Sequence, residues 1–216
     1  MKRITLLLTG MLLMLATMTT KAQEWSTGVD LYSSYVWRGV QFGGPSIQPT
    51  VEFSKGGFSV GAWGSADFAG YMEMDLYMSY GFDFGLSVGL TDYYYPGLEY
   101  FDFSEETGAH GLEVNLGYEV GSFSLAANYM LNKAGGAATA GGDKYFELGY
   151  AFKSVNVFAG AGDGWHTPDG EFGIVNVGLG TSKEIKLTDS FSLPLSGSVI
   201  LNPTTEQFFI VVGISL

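Results

Sequence analysis

Apolar and polar residues alternate with a period of two along most of the chain from about residue 25 onward. The segment 46–54 is the strictest example, with Ile47, Pro49, Val51 and Phe53 separated by polar residues. Successive side chains of a β-strand point to opposite faces, so this period predicts strands with one apolar face. Twelve such runs occur, and no segment has a convincing helical period. The runs are 25–37, 47–53, 58–62, 72–80, 86–90, 112–118, 123–131, 146–152, 155–159, 175–179, 191–199 and 208–216.

The connections between these runs alternate in length. KGG, FDFG, GS and KS are short, whereas GVQFGGP, PGLEYFDFSEETGAH, NKAGGAATAGGDK, DGWHTPDGEF and NPTTE are longer. Short turns on one side and long loops on the other are typical of outer-membrane barrels. We therefore predict an all-β fold, a closed antiparallel transmembrane β-barrel of about 12 strands, with 10 or 14 as alternatives. The connection SKEIKLTD (182–189) fits this alternation least well.

A soluble β-sandwich or lipocalin-like barrel would also have alternating strands. Its polar face would meet water and would carry lysines, arginines and threonines, whereas here that face is mostly Gly, Ser, Ala, Asn and carboxylate. Trp25 and Trp37 share one face and lie about 40 Å apart on an extended strand. At a tilt near 45° this separation projects to about 28 Å, close to the roughly 25 Å apolar band between aromatic girdles. We therefore predict that both tryptophans belong to aromatic girdles facing lipid.

The first residues have the pattern of a secretory signal peptide. Lys2 and Arg3 precede an apolar run that ends near Met18 and is followed by TTKAQ. An apolar run of about 15 residues is short for a membrane-spanning helix, so we prefer a cleaved signal to an anchor. Residues 1–22 are then the signal peptide, and residues 23–216 are the barrel. This predicts export to the outer membrane of a Gram-negative bacterium, with both termini periplasmic.

Charge and cysteine content narrow the possible functions. Without the three basic residues of the signal peptide, 7 basic residues face 22 acidic ones, a net charge of −15. Such a surface is a poor partner for nucleic acid. The sequence has no cysteine, which excludes disulfides, thiolate metal sites and attachment of lipid through cysteine. Mean hydropathy is positive, at +0.18, although no long apolar segment follows the signal peptide.

Charged residues between apolar neighbours should point into the barrel. A charge facing lipid near mid-bilayer would cost about 2–4 kcal/mol. We expect Arg38 to lie in or at the rim of the lumen, beside the strand that carries Glu52. The lumen-facing candidates are Asp30, Arg38, Glu52, Glu73, Asp75, Glu113, Glu119 and Glu147.

The lumen itself is open to two interpretations. Eight strands are just filled by side chains and 16–18 leave a channel, so a twelve-stranded barrel could conduct or be plugged. Arg38 would then be either a constriction element or the counter-ion of a filled interior. The inward carboxylates favour cations in either case. We expect a porin-like channel for small polar solutes, with a closed structural or binding barrel as the alternative.

The sequence offers little evidence for an enzyme. Outer-membrane lipid hydrolases are barrels with serine, histidine and an acid at the outer rim, and His110 has Ser104, Glu105 and Glu106 near it in sequence. His166 is the other histidine. A loop histidine flanked by acids is more often solvated surface, so we predict no catalytic residue, no metal site and no cofactor. Outer-membrane lipids and small solutes are the expected partners, and the oligomeric state cannot be read from the residues.

The motifs SSYVWRG, SIQP, GAWGS (61–65), EMDLY (73–77) and YYYPG (93–97), in this order, resemble the TorF (Gcw_chp) family of proposed porins. The resemblance is clear over the first hundred residues and generic beyond them. It implies an outer-membrane barrel without an agreed substrate or catalytic residues. Many barrels end in Phe or Trp, the residue read by the barrel insertion machinery, whereas this chain ends in Leu216. Because the alternation in FFIVVGISL is intact, we still expect that machinery to be a partner.

Overall fold

A computed structural model describes residues 24–189 and 191–216, and the predicted signal peptide, 1–22, lies outside them. The described chain forms fourteen strands and one short 3₁₀ helix, Gly164–His166. None of the helical structure in this part of the chain is long and apolar enough to cross a membrane. The strands are β1 (Glu24–Tyr32), β2 (Tyr35–Trp37), β3 (Val40–Gly43), β4 (Ser46–Lys55), β5 (Phe58–Asp67), β6 (Met72–Gly81), β7 (Leu86–Tyr94), β8 (His110–Val120), β9 (Phe123–Met130), β10 (Lys144–Ala151), β11 (Asn156–Gly162), β12 (Gly173–Lys186), β13 (Ser192–Asn202) and β14 (Gln207–Ser215).

Twelve of these strands form a closed antiparallel barrel, which confirms the predicted fold and strand number. Neighbours in sequence pair from β4 to β14, and β1 closes the barrel by pairing with both β4 and β14. Closure gives every strand two partners, so the barrel has no free edge. Each barrel strand corresponds to one of the twelve alternating runs. The remaining strands, β2 and β3, form a separate two-stranded sheet.

The barrel wall has an apolar exterior and a polar interior. On β6, Leu76 and Met78 on the outer face are each 49% exposed, whereas Glu73, Asp75 and Tyr77 on the inner face are each 4% exposed. The same alternation follows the other strands, with exposed Phe, Leu, Val and Ile opposite buried Gly, Ser, Asn and carboxylate. A soluble sandwich has the opposite arrangement, because its apolar face forms the core.

The ends of the barrel differ in the length of their connections. At one end the turns are 56–57, 82–85, 121–122 and 152–155, and at the other end the longest loops are 33–45, 95–109, 131–143 and 163–172. Two connections at the long-loop end, 68–71 and 203–206, have only four residues, so NPTTE is shorter than expected. The irregular segment 182–189 is also explained, because β12 continues to Lys186 and pairs with β13 as far as Ser192.

The first alternating run is not one strand, and this is where the fold departs from the prediction. β1 ends at Tyr32, and two serines take over the hydrogen bonding of its end. The backbone of Ser33 bonds to Val212 at 2.9 Å, and Ser33 Oγ accepts a further bond from the Val212 N–H. Ser34 Oγ donates to the carbonyl of Gly43 at 3.1 Å. The Ser33 side chain thus takes the place of a backbone partner at the end of β1, and beyond it the chain turns into the barrel.

Candidate functional site

The loop between β1 and β4 folds into the barrel as the β2–β3 hairpin, which we call the inner hairpin (residues 35–43). Its first strand and tip are enclosed, with Tyr35, Val36, Trp37 and Arg38 all between 2% and 6% exposed. Four consecutive buried residues in a loop are unusual, because loops normally run over the surface. The inner hairpin therefore fills the interior of the barrel at the level where it lies.

The two faces of the inner hairpin pack against opposite parts of the wall. Tyr35 contacts Trp63 on β5, with ring centroids 5.5 Å apart, and Trp37 contacts Tyr93 on β7 at 5.6 Å. Val36 instead joins an apolar cluster on the other side, composed of Phe158, Ile200, Val211 and the partly buried Tyr32 and Phe209. Because successive side chains of a strand point to opposite faces, Tyr35 and Trp37 lie on one side of the lumen and Val36 lies on the other.

The tip of the inner hairpin packs closely against the barrel wall. Arg38 and Gly39 both have left-handed backbone angles, with φ of 49° and 79°. A Cβ atom at Gly39 would lie 1.8 Å from the carbonyl oxygen of Val175, so only glycine fits. Asn202, which is fully buried, donates to the carbonyl of Gly39 at 3.1 Å. Backbone strain of this kind persists only where surrounding contacts hold it.

The Arg38 side chain crosses to β8 and binds Glu113 with two parallel hydrogen bonds. The two guanidinium nitrogens lie 2.7 and 2.8 Å from the two carboxylate oxygens. Glu113 also accepts bonds from the Tyr93 hydroxyl at 2.9 Å and from the Asn115 amide at 2.7 Å. The guanidinium carbon lies 4.2 Å from the ring centre of Trp37 and 4.5 Å from that of Tyr145. A bidentate pair with stacked rings is the arrangement that best compensates a buried arginine.

His166, in the loop 163–172, completes this cluster. Its Nε2 lies 3.4 Å from the Arg38 guanidinium, and its ring is 2% exposed. Burial, together with the adjacent guanidinium, holds the pKa of His166 well below its usual range. The imidazole is therefore neutral, and since arginine is only a donor, Nε2 accepts the bond.

The carboxylates on the inner face fall into two groups. Glu73, Asp75 and Glu113 are buried around the inner hairpin, at 4%, 4% and 1% exposure. Asp30, Glu52, Glu119 and Glu147 are half-buried. Glu119 and Glu147 line a cavity of about 110 Å³ at the short-turn end, together with Ser124 and Asn156. The interior is thus filled around the inner hairpin and more open toward the short turns.

A family model described as "Bacterial protein of unknown function (Gcw_chp)" matches residues 16–184, well over half of the chain. The chain belongs to the Gcw_chp family. This confirms the family resemblance of the ordered motifs in the first hundred residues. No curated protein matches the chain significantly.

Two solved structures resemble this Gcw_chp member at low identity. A triple mutant of Rhodopseudomonas blastica porin aligns with 16% identity and a TM-score of 0.41, over 79% of this chain and 55% of the porin chain. Outer membrane phospholipase A from Escherichia coli aligns with 11% identity and a TM-score of 0.43, over 94% of this chain and 92% of that one. The match thus spans little more than half of the porin. At such low identity and TM-score, the activity of neither protein can be assigned to this chain.

Two expectations about the opening run change with the structure. Trp37 was expected in a lipid-facing girdle, but it is 6% exposed inside the barrel, because the strand that would have carried it outward ends at Tyr32. Trp25 is 70% exposed on the outer face, where its ring centre lies 5.2 Å from that of Phe53. Arg38 is internal, but its guanidinium lies against Glu113 on β8 and not beside the strand that carries Glu52. Glu52 accepts hydrogen bonds from Tyr77 and Ser59 instead.

The histidines of the described chain do not form a hydrolase constellation. His110 Nδ1 lies 2.9 Å from the Asp92 carboxylate, and its Nε2 faces the backbone carbonyl of Tyr100. Ser104 Oγ pairs with the Thr107 hydroxyl at 3.0 Å, so it has no histidine base. His110 is thus a structural anchor for the loop 95–109. Within the described residues no cluster of three His, Cys, Asp or Glu side chains could hold a metal ion.

The Arg38–Glu113 pair generates a stability prediction. Arg38→Met leaves the Glu113 carboxylate buried without its counter-ion, and we expect the free energy of unfolding to fall by about 3–5 kcal/mol. Urea titration of the barrel in lipid vesicles, followed by tryptophan fluorescence, measures this change. The double variant Arg38→Met/Glu113→Gln should recover part of the loss, because it removes the orphaned charge.

Lys144→Met is the matched control for this prediction. Lys144 forms an ion pair with Asp163 at 3.2 Å, but its side chain is 48% exposed. An exposed pair of this kind contributes about 1 kcal/mol or less. Equal losses for Arg38→Met and Lys144→Met would contradict the buried role assigned to Arg38.

Proposed function

We propose that this Gcw_chp member is an integral barrel of the bacterial outer membrane. The support is the exterior of the wall, where apolar side chains such as Leu76, Phe146 and Ile210 are 47–66% exposed. Contiguous apolar surface on this scale is unfavourable in water but suits the hydrocarbon core of a bilayer. The predicted signal peptide would direct export, and the short turns would then face the periplasm.

Within that membrane we propose a porin-like channel for small polar solutes that favours cations. The observation that carries this proposal is the charge of the interior. Of the seven basic residues in the described chain, only Arg38 lies inside the barrel, and Glu113 neutralises it. The carboxylates Glu119 and Glu147 are half-buried and form no ion pair within the described residues. Charges on a narrow low-dielectric wall concentrate counter-ions, which here are cations.

The inner hairpin would be the constriction of this channel. It fills the interior at its own level, so passage requires the hairpin to shift or to leave the lumen. The loops that carry it, 33–34 and 44–45, join strands that are already neighbours, since Tyr32 pairs with Ser46. The barrel wall thus does not depend on the hairpin for its strand order.

A closed barrel is the second candidate function. It is favoured by the aromatic packing around Trp37, whose ring lies 5.3–6.1 Å from four others, those of Phe42, Tyr93, Trp165 and His166. A cluster this dense could hold the hairpin in place permanently. The protein would then act through its external loops or as a structural element of the membrane.

Membrane insertion can be tested on two opposite faces of the wall. Leu76→Arg places a charge on the apolar exterior, and we expect it to lower barrel stability in lipid vesicles by about 2–4 kcal/mol. Ser59→Arg is the control, because Ser59 faces inward and lies 3.5 Å from Glu52, which can pair with the new charge. Urea unfolding in vesicles reports both changes. Similar losses in the two variants would refute a lipid-facing exterior.

The role of the hairpin can be tested by removing it. Replacing residues 33–45 with Asn-Gly joins Tyr32 to Ser46 through a two-residue turn, the connection most common between paired antiparallel strands. We expect planar-bilayer recordings to show a larger and steadier conductance than the wild type, because the constriction is gone.

The other possible results of that recording would contradict the proposed constriction. If the wild type and the shortened chain conduct equally, the inner hairpin is not the constriction. If neither conducts while both are folded by circular dichroism, the closed barrel is correct.

Cation preference can be tested in the shortened chain, where the current is expected to be largest. Glu119→Gln/Glu147→Gln removes two half-buried carboxylates from the lumen and should shift the reversal potential in a KCl gradient toward lower cation selectivity. Glu171→Gln is the matched control, because Glu171 is exposed in the loop 163–172. An unchanged reversal potential in the double variant would show that these carboxylates do not line the ion path.

A further inference from the structure

Glu73 and Asp75 are two buried carboxylates without a cationic partner. Both are 4% exposed on the inner face of β6, and neither forms an ion pair within residues 24–189 and 191–216. Arg38, the only one of the seven basic residues in the described chain that lies in the interior, is bound to Glu113. Each ionised carboxylate removed from water is strongly destabilised unless something compensates its charge.

Two polar atoms at this place have no hydrogen-bond partner. The Oδ1 atom of Asp75 and the Oγ atom of Ser65 are both buried and unsatisfied. Ser65 is 4% exposed and lies directly opposite Glu73 in the β5–β6 register, on the same inner face. Side chains in directly opposed positions are about 5 Å apart at their Cβ atoms. Unsatisfied buried polar groups are rare in folded proteins and need an explanation.

The remaining contacts of the carboxylates leave acceptor capacity free. The Tyr71 hydroxyl donates to Glu73 at 2.7 Å. Since a carboxylate has about four acceptor positions, both groups can accept further bonds.

Aromatic rings enclose the same place. The ring centres of Tyr35 and Tyr71 are 6.0 Å apart, and those of Tyr71 and Tyr95 are 6.4 Å apart. The faces of such rings attract cations. Tyr71 and Tyr95 are partly exposed and belong to connections at the long-loop end, so a ligand would approach from that end.

We propose that Ser65, Glu73 and Asp75 form a binding site for a primary ammonium group of a small amine. An ammonium group has three N–H donors and no acceptor, which matches the Ser65 hydroxyl oxygen and the two carboxylates. A divalent metal fits less well, because no group of three or more His, Cys, Asp or Glu side chains within the described residues could hold a metal ion. The site does not depend on conduction through the barrel, so binding and channel activity can be tested separately.

Methylammonium is a suitable probe, because it carries the ammonium group with a single methyl. Saturation-transfer NMR on its methyl resonance, with the complete mature barrel in detergent micelles, should show saturable binding that equimolar KCl does not displace. Tetramethylammonium has the same charge but no N–H donor, and we expect its binding to be at least about tenfold weaker.

Isosteric substitutions locate the site. Asp75→Asn and Glu73→Gln should each weaken methylammonium binding at least about tenfold, because each removes a charge-assisted bond. Ser65→Ala should weaken it a few-fold and is the milder change if either charge variant fails to fold. Glu52→Gln is the matched control, since Glu52 is another inward carboxylate bonded to a tyrosine, and it should bind as the wild type does.

Three results would overturn the proposal. These are no saturable binding of methylammonium to the wild type, complete displacement by equimolar KCl, or unchanged affinity in both Asp75→Asn and Ser65→Ala. The first of these would mean that the two carboxylates are neutralised by protons rather than by an ammonium group.

Discussion

The interior of this barrel depends on how one buried positive charge is compensated. Moving a guanidinium group out of water costs several kcal/mol, and the cost is offset only where its donors and its ring faces are occupied. Glu113 supplies the carboxylate for Arg38, and Trp37 and Tyr145 supply the faces. These groups come from the inner hairpin, β8 and β10, so the hairpin tip has only one position in which all of them meet. Its placement in the lumen follows from that requirement.

The wall could be predicted from sequence because it is governed by a local rule. A barrel strand needs one face for lipid and one for the interior, and this produces a period of two that any single strand displays. The count of strands, their order and the facing of Leu76 or Glu73 follow from that rule. The inner hairpin does not follow from it, because residues 35–37 continue the alternation of β1. Only the pair Ser33–Ser34 marks the break, and serine pairs also occur within strands.

The site was harder to predict because its contacts are distant along the chain. Arg38 and Glu113 are 75 residues apart, and Arg38 and His166 are 128 apart. The alternation of the sequence assigns every inward carboxylate to the same face of the wall. It cannot separate the carboxylates near the hairpin from those toward the short turns. What separates Asp75 from Glu119 is the presence of the hairpin above one and not the other. The proposed ammonium site could not be predicted either, since it rests on the absence of partners for Ser65 and Asp75.

The scarcity of basic residues connects these features. In the described chain, lysines lie at turns, loops and strand ends, where water solvates them, so the interior holds seven of the predicted acidic candidates and a single arginine. Because Arg38 can neutralise one carboxylate, the others need water, protons or ligands. Asp30, Glu52, Glu119 and Glu147 are half-buried and retain contact with water. Glu73 and Asp75 are enclosed by the hairpin and its aromatic neighbours, so water cannot solvate them to the same extent. The hairpin that satisfies Glu113 thus also encloses, on β6, the charge imbalance that an ammonium group would correct.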